Sequence, residues 1–256
     1  MCERNRTAGP PADTSRQFEA DAFYPLPVAA HNIAINEETG YAYIVGGNAG
    51  LVVPDPCRSG LHMVDISEPT SPTFAGCYAM DGGPGTAGGV VTDQTGGITA
   101  AYVHDTQCVV YRGPDEDHQG REICFNASET QVDIVDVTDK TLPTRISSIA
   151  YDGSAYTHQG WLTDDQSVFL LGDEADETSA GHPTRTYIFD VSDLDAPTIA
   201  GDTGYWEHES DAIDHNMYVV DQLLFQSNYR AGLRVHDLAE VSDGILDEVA
   251  FFDVYP

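Results

Sequence analysis

Four histidines stand at matching places in the chain. They are His31 in Ala30-His-Asn32, His104 in Val103-His-Asp105, His158 in Thr157-His-Gln159 and His215 in Asp214-His-Asn216. A small polar or acidic residue follows each of them, and then an apolar run. Neutral imidazole nitrogens are ligands for zinc, copper or iron. Adjoining carboxylates and amides, here Asp105, Gln159, Asp214 and Asn216, can hold such rings in one orientation. One imidazole per repeat, all at one level, would assemble a metal site from distant segments. The competing reading is that a repeated His only caps a strand or bonds a neighbouring backbone group.

Weaker candidates lie elsewhere. The acidic run Asp173-Glu-Ala-Asp-Glu177, with His182 nearby, offers oxygen ligands for calcium but lacks the glycine-turn order of a calcium loop, so a solvated acidic loop competes. His118, in Asp115-Glu-Asp-His, falls between strands and is expected to line the same face as the four histidines. Arg121, Arg185 and Arg230 are scarce cations that pair with carboxylates or hold an anionic ligand. No Gly-x-Ser-x-Gly, phosphate-binding glycine loop or HExxH occurs, so no familiar nucleophile or protease motif is present. Asn126-Ala-Ser128 matches a glycosylation sequon.

The elements that must position the four histidines are β-rich. Asp65-Ile-Ser-Glu-Pro-Thr-Ser-Pro72 matches Asp136-Val-Thr-Asp-Lys-Thr-Leu-Pro143 and Asp190-Val-Ser-Asp-Leu-Asp-Ala-Pro197, and a decayed copy begins Asp237-Leu-Ala-Glu. An apolar strand precedes each Asp and, in the three full copies, another follows the Pro. The Asp-x-[Ser/Thr] side chains can bond the backbone of a turn, and Pro opens the next strand where its missing N–H is tolerable. Each histidine leads a further pair of strands, with His-to-Asp offsets of 34, 32, 32 and 22 residues. Four strands per unit, repeated, predict an all-β β-propeller of four-stranded blades. About four blades are expected, at 26–83, 101–152, 155–206 and 212–256, in one domain spanning 17–256, and the ring is expected to be incomplete. Residues 1–16 are expected to be disordered, and the glycine-rich stretch 82–99 to form an inserted loop. Gln17–Tyr24 read as an outer strand of a preceding blade, or as a strand that closes a small ring.

These strings resemble a known family. Gly60-Leu-His-Met-Val-Asp-Ile-Ser, Gln131-Val-Asp-Ile-Val-Asp-Val-Thr and Gly232-Leu-Arg-Val-His-Asp-Leu look like LVIVD repeats. The longer strings His31–Gly40, His118–Cys124, Tyr156–Trp161 and Asn228–Leu233 are similar to the choice-of-anchor B family of secreted bacterial surface proteins. The resemblance implies an LVIVD propeller, export, and a surface anchor. The chain opens without an apolar signal segment and stops without an anchor, so both ends read as cuts through a longer protein.

Composition bounds the partners. The 256 residues carry 11 Lys+Arg against 42 Asp+Glu, a formal charge of −31, and Lys140 is the only lysine. Such a surface repels phosphate, which argues against nucleic acid and against an anionic bilayer. Acidity of this kind suits high salt, which screens self-repulsion. No apolar run reaches the roughly 18–20 residues of a membrane span. Five cysteines include two local pairs, Cys57 with Cys77 and Cys108 with Cys124, either disulfides of an oxidising compartment or buried thiols, while Cys2 is left over. The resulting expectation is a monomeric, exported binding module for an unknown small-molecule or protein ligand, with a metal site at His31, His104, His158 and His215. The alternative is a metal-dependent oxidoreductase or hydrolase using the same cluster.

Overall fold

The computed structural model describes residues 22–48, 57, 59–79 and 102–253. The segments expected to be disordered (1–16) or inserted (82–99) lie outside them, as do Cys2 and most of the candidate leading strand 17–24.

Each repeat folds into one antiparallel sheet. The first holds β1 (Asn32–Asn36), β2 (Tyr41–Val45), β3 (Leu61–Asp65) and β4 (Thr73–Tyr78), in that order. The second holds β5 (Asp105–Val110), β6 (Glu122–Ala127), β7 (Val132–Asp136) and β8 (Thr144–Ile149). The third is β9 (Thr157–Leu162), β10 (Val168–Asp173), β11 (Arg185–Asp190), β12 (Thr198–Ile199) and β13 (Tyr205–Glu207); β12 and β13 share the outer edge of β11. The fourth is β14 (Met217–Val220), β15 (Leu223–Asn228), β16 (Gly232–Asp237) and β17 (Asp247–Phe252). The sheets are blades of a β-propeller. Their first strands line up side by side, β1 against β5, β5 against β9 and β9 against β14, and among the described residues the ring is not closed.

The repeated turn works through its aspartate. Asp65 Oδ1 accepts the Ser67 N–H at 2.9 Å and its hydroxyl at 2.7 Å. Asp136, Asp190 and Asp237 accept the N–H two residues on in the same way, at 2.9, 2.8 and 2.8 Å. Pro72, Pro143 and Pro197 each stand immediately before the outer strand, where no ladder N–H is required. The pairings of β3 with β4, β7 with β8 and β16 with β17 each shift register at the same place, where Ala75, Ile146 and Val249 of the outer strand are the extra residues. The recurrence marks the bulge as part of the repeat.

The cores lie between blades. Successive residues of a strand point to opposite faces, and here both faces are covered. Ile123 and Phe125 of β6 pack toward the third blade with Phe169 and Leu171 of β10, while Cys124 packs toward the first with Tyr43 and Met63. Val168 and Leu170 turn the other way, onto Met217 and Leu224 of the fourth blade. The Phe125 and Phe169 rings stack at 4.9 Å. Cys57 is bonded to Cys77, and Cys108 to its cross-strand neighbour Cys124.

One charged group ties the first two blades together. Glu122, at the start of β6, takes the Lys140 ammonium on Oε2 at 2.7 Å. Its Oε1 accepts Asn36 Nδ2 (2.8 Å), the Thr39 hydroxyl (2.7 Å) and the Tyr43 hydroxyl (2.5 Å) of the first blade. Lys140 also donates to the Val137 carbonyl at 2.7 Å and lies 4.1 Å from the Tyr41 ring centre. Removing one partner strands the other charge out of water, at about 3–5 kcal/mol, whereas replacing both with apolar groups of similar shape costs far less. Urea unfolding of Glu122→Gln should therefore show a loss of this order, and Glu122→Gln/Lys140→Met should recover most of it. Two additive losses would show that the pair does not act as a unit.

His236 of β16 gives the fold an acid sensitivity. Its ring is fully buried, edge-on to Trp206 at 4.5 Å, with neither nitrogen hydrogen-bonded. Burial, and then the neighbouring His208 and Arg234, hold its pKa down at about 4. An unfolded histidine takes its proton near pH 6.5. Above that pH both states are neutral and nothing is contributed. Below it the unfolded chain binds a proton that the fold refuses, so stability falls from pH 6.5 toward pH 4, by on the order of 3 kcal/mol. His236→Phe should flatten this part of the Tm-versus-pH curve; a parallel curve would show that His236 is protonated in the fold.

Candidate metal centre

The four histidines lie at the start of the four innermost strands. His31 immediately precedes β1, His104 immediately precedes β5, and His215 stands two residues before β14. His158 lies within β9. There Thr157 and Gln159 pair with the adjacent residues Asp173 and Gly172, so His158 is the extra residue of a bulge. A bulge re-aims the side chain it carries. The rings form a row: His31 to His104 at 4.1 Å between centres, His104 to His158 at 4.4 Å, and His158 to His215 at 4.5 Å. Gly46 (φ +61°) gives the first ring its place, since a Cβ there would come within 2.5 Å of His31 Cβ.

Two donor sets emerge. Ligand atoms of His31, His104 and His158 lie within 4.8 Å of one another, and so do those of His158, Glu174 and His215. Glu174 Oε2 is 3.5 Å from His158 Nε2, and Glu174 Oε1 is 3.8 Å from His215 Nε2. The Tyr229 hydroxyl donates to Glu174 Oε1 at 2.6 Å, and the carboxylate beside it pushes the Tyr229 pKa up to about 12. Tyr229 also meets the His215 ring edge-on at 5.1 Å, and Tyr156 meets His104 in the same way at 5.1 Å.

The two middle rings are held neutral. Burial lowers the pKa of His104 to about 4 and that of His158 to about 2, with the other histidines adding repulsion. His104 Nδ1 lies 3.0 Å from the His158 carbonyl, which can only accept, so that nitrogen carries the proton and Nε2 keeps a lone pair. His158 is 1% exposed and its Nδ1 has no hydrogen-bond partner. His31 is exposed, so the row opens to solvent at that end.

The flanking residues divide into several roles. Asp105 accepts Asn32 Nδ2 at 2.9 Å and the Thr106 N–H at 2.7 Å, which joins the first two inner strands; burial raises its pKa. Gln159 clamps β9 to β14 through both the N–H and the carbonyl of Met217, at 2.8 and 3.0 Å. The Asn216 carbonyl accepts the Ser227 N–H at 2.9 Å. Asp214 is fully buried, and desolvation followed by repulsion from Asp176 and Glu177 keeps its pKa well above the usual carboxylate range. Arg230 pairs with Asp211.

His118 sits apart from the row, in the loop at the far end of β5. It joins Asp195 of the third blade at 2.8 Å, with Asp115 3.9 Å away. The acidic run 173–177 splits. Asp173 is consumed by the Tyr151 hydroxyl and the backbone N–H groups of Ala155 and Tyr156, Glu174 turns to the histidines, and Asp176 and Glu177 belong to the short helix α1 (Asp176–Ser179).

Sequence reasoning had not connected Glu174 with the histidines, nor singled out Tyr102, Tyr156, Tyr229 and Glu129 around them. Burial raises the Tyr102 pKa to about 12 and raises that of Tyr156, which hydrogen-bonds Glu129. Glu129 is itself buried and holds φ +72°, a conformation that costs a non-glycine residue energy and recurs at functional sites. Only the pattern Tyr-x-His, present at both Tyr102 and Tyr156, was a signal for any of them.

The LVIVD repeat family model matches residues 29–55 and 58–80. The chain carries LVIVD repeats. No curated protein matches it. Among solved structures, a protein from Lactobacillus plantarum superposes with TM-score 0.55 at 14% identity, over 88% of this chain and 57% of that one. A structure described as a candidate 6-phosphogluconolactonase from Bacteroides fragilis gives 0.51 at 11%, over 86% and 56%. The β-propeller domain of Cps50 (Swd1) from Myceliophteria thermophila gives 0.44 at 10%, over 85% and 57%. The chain thus spans a little over half the length of these proteins. At such identities the likeness concerns fold alone.

The His104 tautomer is directly checkable. At pH 7, long-range ¹⁵N–¹H correlation spectra of metal-free protein should show His104 neutral with its proton on Nδ1. A proton on Nε2, or a charged ring, would contradict the geometry.

Proposed function

We propose that this chain is an exported, surface-associated LVIVD-repeat propeller that acts as a binding module. It takes a transition-metal ion (zinc, copper or iron) on His31, His104 and His158 and offers it to a small-molecule or protein ligand at the channel mouth. The observation that carries this reading is the convergence of three imidazoles from three successive blades within 4.8 Å. The two buried rings are neutral, as ligation requires. Three protein nitrogens leave a tetrahedral ion one open position, the arrangement that separates ligand-binding and catalytic metal sites from closed structural ones. The exposed end at His31 gives that position access. The two disulfides fit an oxidising compartment. Among the described residues, no helix is long and apolar enough to cross a membrane. The similarity to choice-of-anchor B proteins fits display at a cell surface.

The second reading is a metal-dependent hydrolase or oxidoreductase. It is favoured by the same open position and by Glu174, a carboxylate placed beside the donor row where it could hold a proton or a water. Turnover that chelators abolish would select it.

Elemental analysis of protein purified without chelators tests the shared premise. Wild type should retain at least one equivalent of transition metal per chain. His104→Ala/His158→Ala should lose it while keeping the β-rich circular dichroism of the wild type. A folded wild type that is metal-free, and stays so after incubation with zinc, copper(II) and iron(II), would end both readings.

A further inference from the structure

The row of imidazoles is too long for one ion. The donors fall into two sets that share only His158, one of three nitrogens (His31, His104, His158) and one of two nitrogens and a carboxylate (His158, Glu174, His215). We infer that the channel mouth binds two transition-metal ions side by side, with His158 lying between them and Glu174 belonging to the second. This inference rests on the single-site reading above and adds a second site to it.

Three observations carry it. First, the spacing in the second set is that of ligands around an ion. Metal–ligand bonds of about 2.0–2.2 Å in a tetrahedron place neighbouring donors roughly 3.4 Å apart. Glu174 stands 3.5 Å from His158 Nε2 and 3.8 Å from His215 Nε2. A fixed carboxylate is what the second set has in place of a third imidazole, and the Tyr229 hydroxyl fixes it.

Second, His158 has a nitrogen for each side. Its Nε2 faces Glu174, while its Nδ1 is buried without any partner. A buried ring nitrogen with nothing to bond costs the fold a lost hydrogen bond. An ion on that side would remove the cost; a ring that holds an ion on each nitrogen is an imidazolate, its one N–H proton released to solvent. The bulge in β9 re-aims this ring into the place between His104 and His215.

Third, oxygen-bearing side chains without a cationic partner stand beside the row. Asp105 adjoins His104, Asp214 adjoins His215, and Glu129 lies beyond Tyr156; all three are buried carboxylates, and among the described residues none of them forms an ion pair with Lys or Arg. Asp105 interacts with both His31 and His215, which places it alongside the row.

Zinc titration of the metal-free full chain by calorimetry, with dialysis and elemental analysis, reads the stoichiometry. Wild type should bind two zinc ions. Glu174→Gln and His31→Ala should each bind one, and His158→Ala should lose at least tenfold in affinity at both sites. Copper(II) gives an independent signature that needs no variant. Two ions sharing one ring should couple magnetically, so the doubly loaded protein should give less than the EPR intensity of two isolated copper ions. One zinc per wild-type chain would overturn the inference and leave the single-site reading standing. No zinc at all would remove both. Two zinc ions in Glu174→Gln would overturn the assignment of the second site.

Discussion

A sheet that is apolar on both faces cannot stand alone, and the rest of this structure follows from that constraint. β6 and β10 bury every residue, with alternate side chains pointing into different cores. Burial of apolar surface is favourable by about 25 cal/mol per Å², and a two-faced strand collects it only if a neighbouring sheet covers each side. Stacking sheets face to face, each turned relative to the last, brings their first strands together at the inner edge. The position of the histidines is a by-product of that packing. Whatever residue opens the first strand of a blade is delivered to the same rim.

The rim carries several buried polar atoms that the protein leaves unmatched. Between the first two blades the buried charges are matched. Glu122 satisfies five hydrogen-bonding groups across two blades if the Lys140 ammonium is counted with the Thr138 hydroxyl that caps its N–H. At the rim, by contrast, His158 Nδ1, Glu129 Oε2 and Asp214 Oδ1 are buried and unpartnered, and Glu129 and Tyr229 both hold positive φ. Unsatisfied buried atoms and left-handed non-glycine residues each cost free energy. His158 Nδ1 stands in the row itself, where the proposed ion would supply the partner it lacks.

The fold was legible because its signals are local and repeated. An Asp that bonds the N–H two residues on, a Pro before a strand and alternating apolar residues each leave a mark in the sequence, and four copies multiply it. The same logic located the row of imidazoles, since a propeller maps equivalent positions to one radius. Glu174 was not legible in that way. It directly follows β10, the second strand of its blade, whereas the residues that directly follow β2, β6 and β15 are Gly46, Ser128 and Tyr229, so the repeat gave no hint of it. It also sat inside an acidic run that reads as a loop. His118 illustrates the opposite trap. It is a histidine near a repeat, but it follows β5 instead of leading it, and the strand carries it to the other end of the blade, beside Asp195.

The same geometry bounds what divergence can do to the site. Four imidazoles supplied by four blades are tied to one another only through the contacts between blades, so changes at a distance reach them through packing. The Gln159 clamp on Met217 sets how β9 and β14 approach, and with it the separation of His158 from His215. The bond from Asn32 to Asp105 does the same for β1 and β5, and thus for His31 and His104. Each clamp lies one residue from a ring it positions. A donor row built in this manner has its spacing written into side-chain bonds between neighbouring blades, independent of the loops above it. The loops can then vary while the row beneath them stays in register.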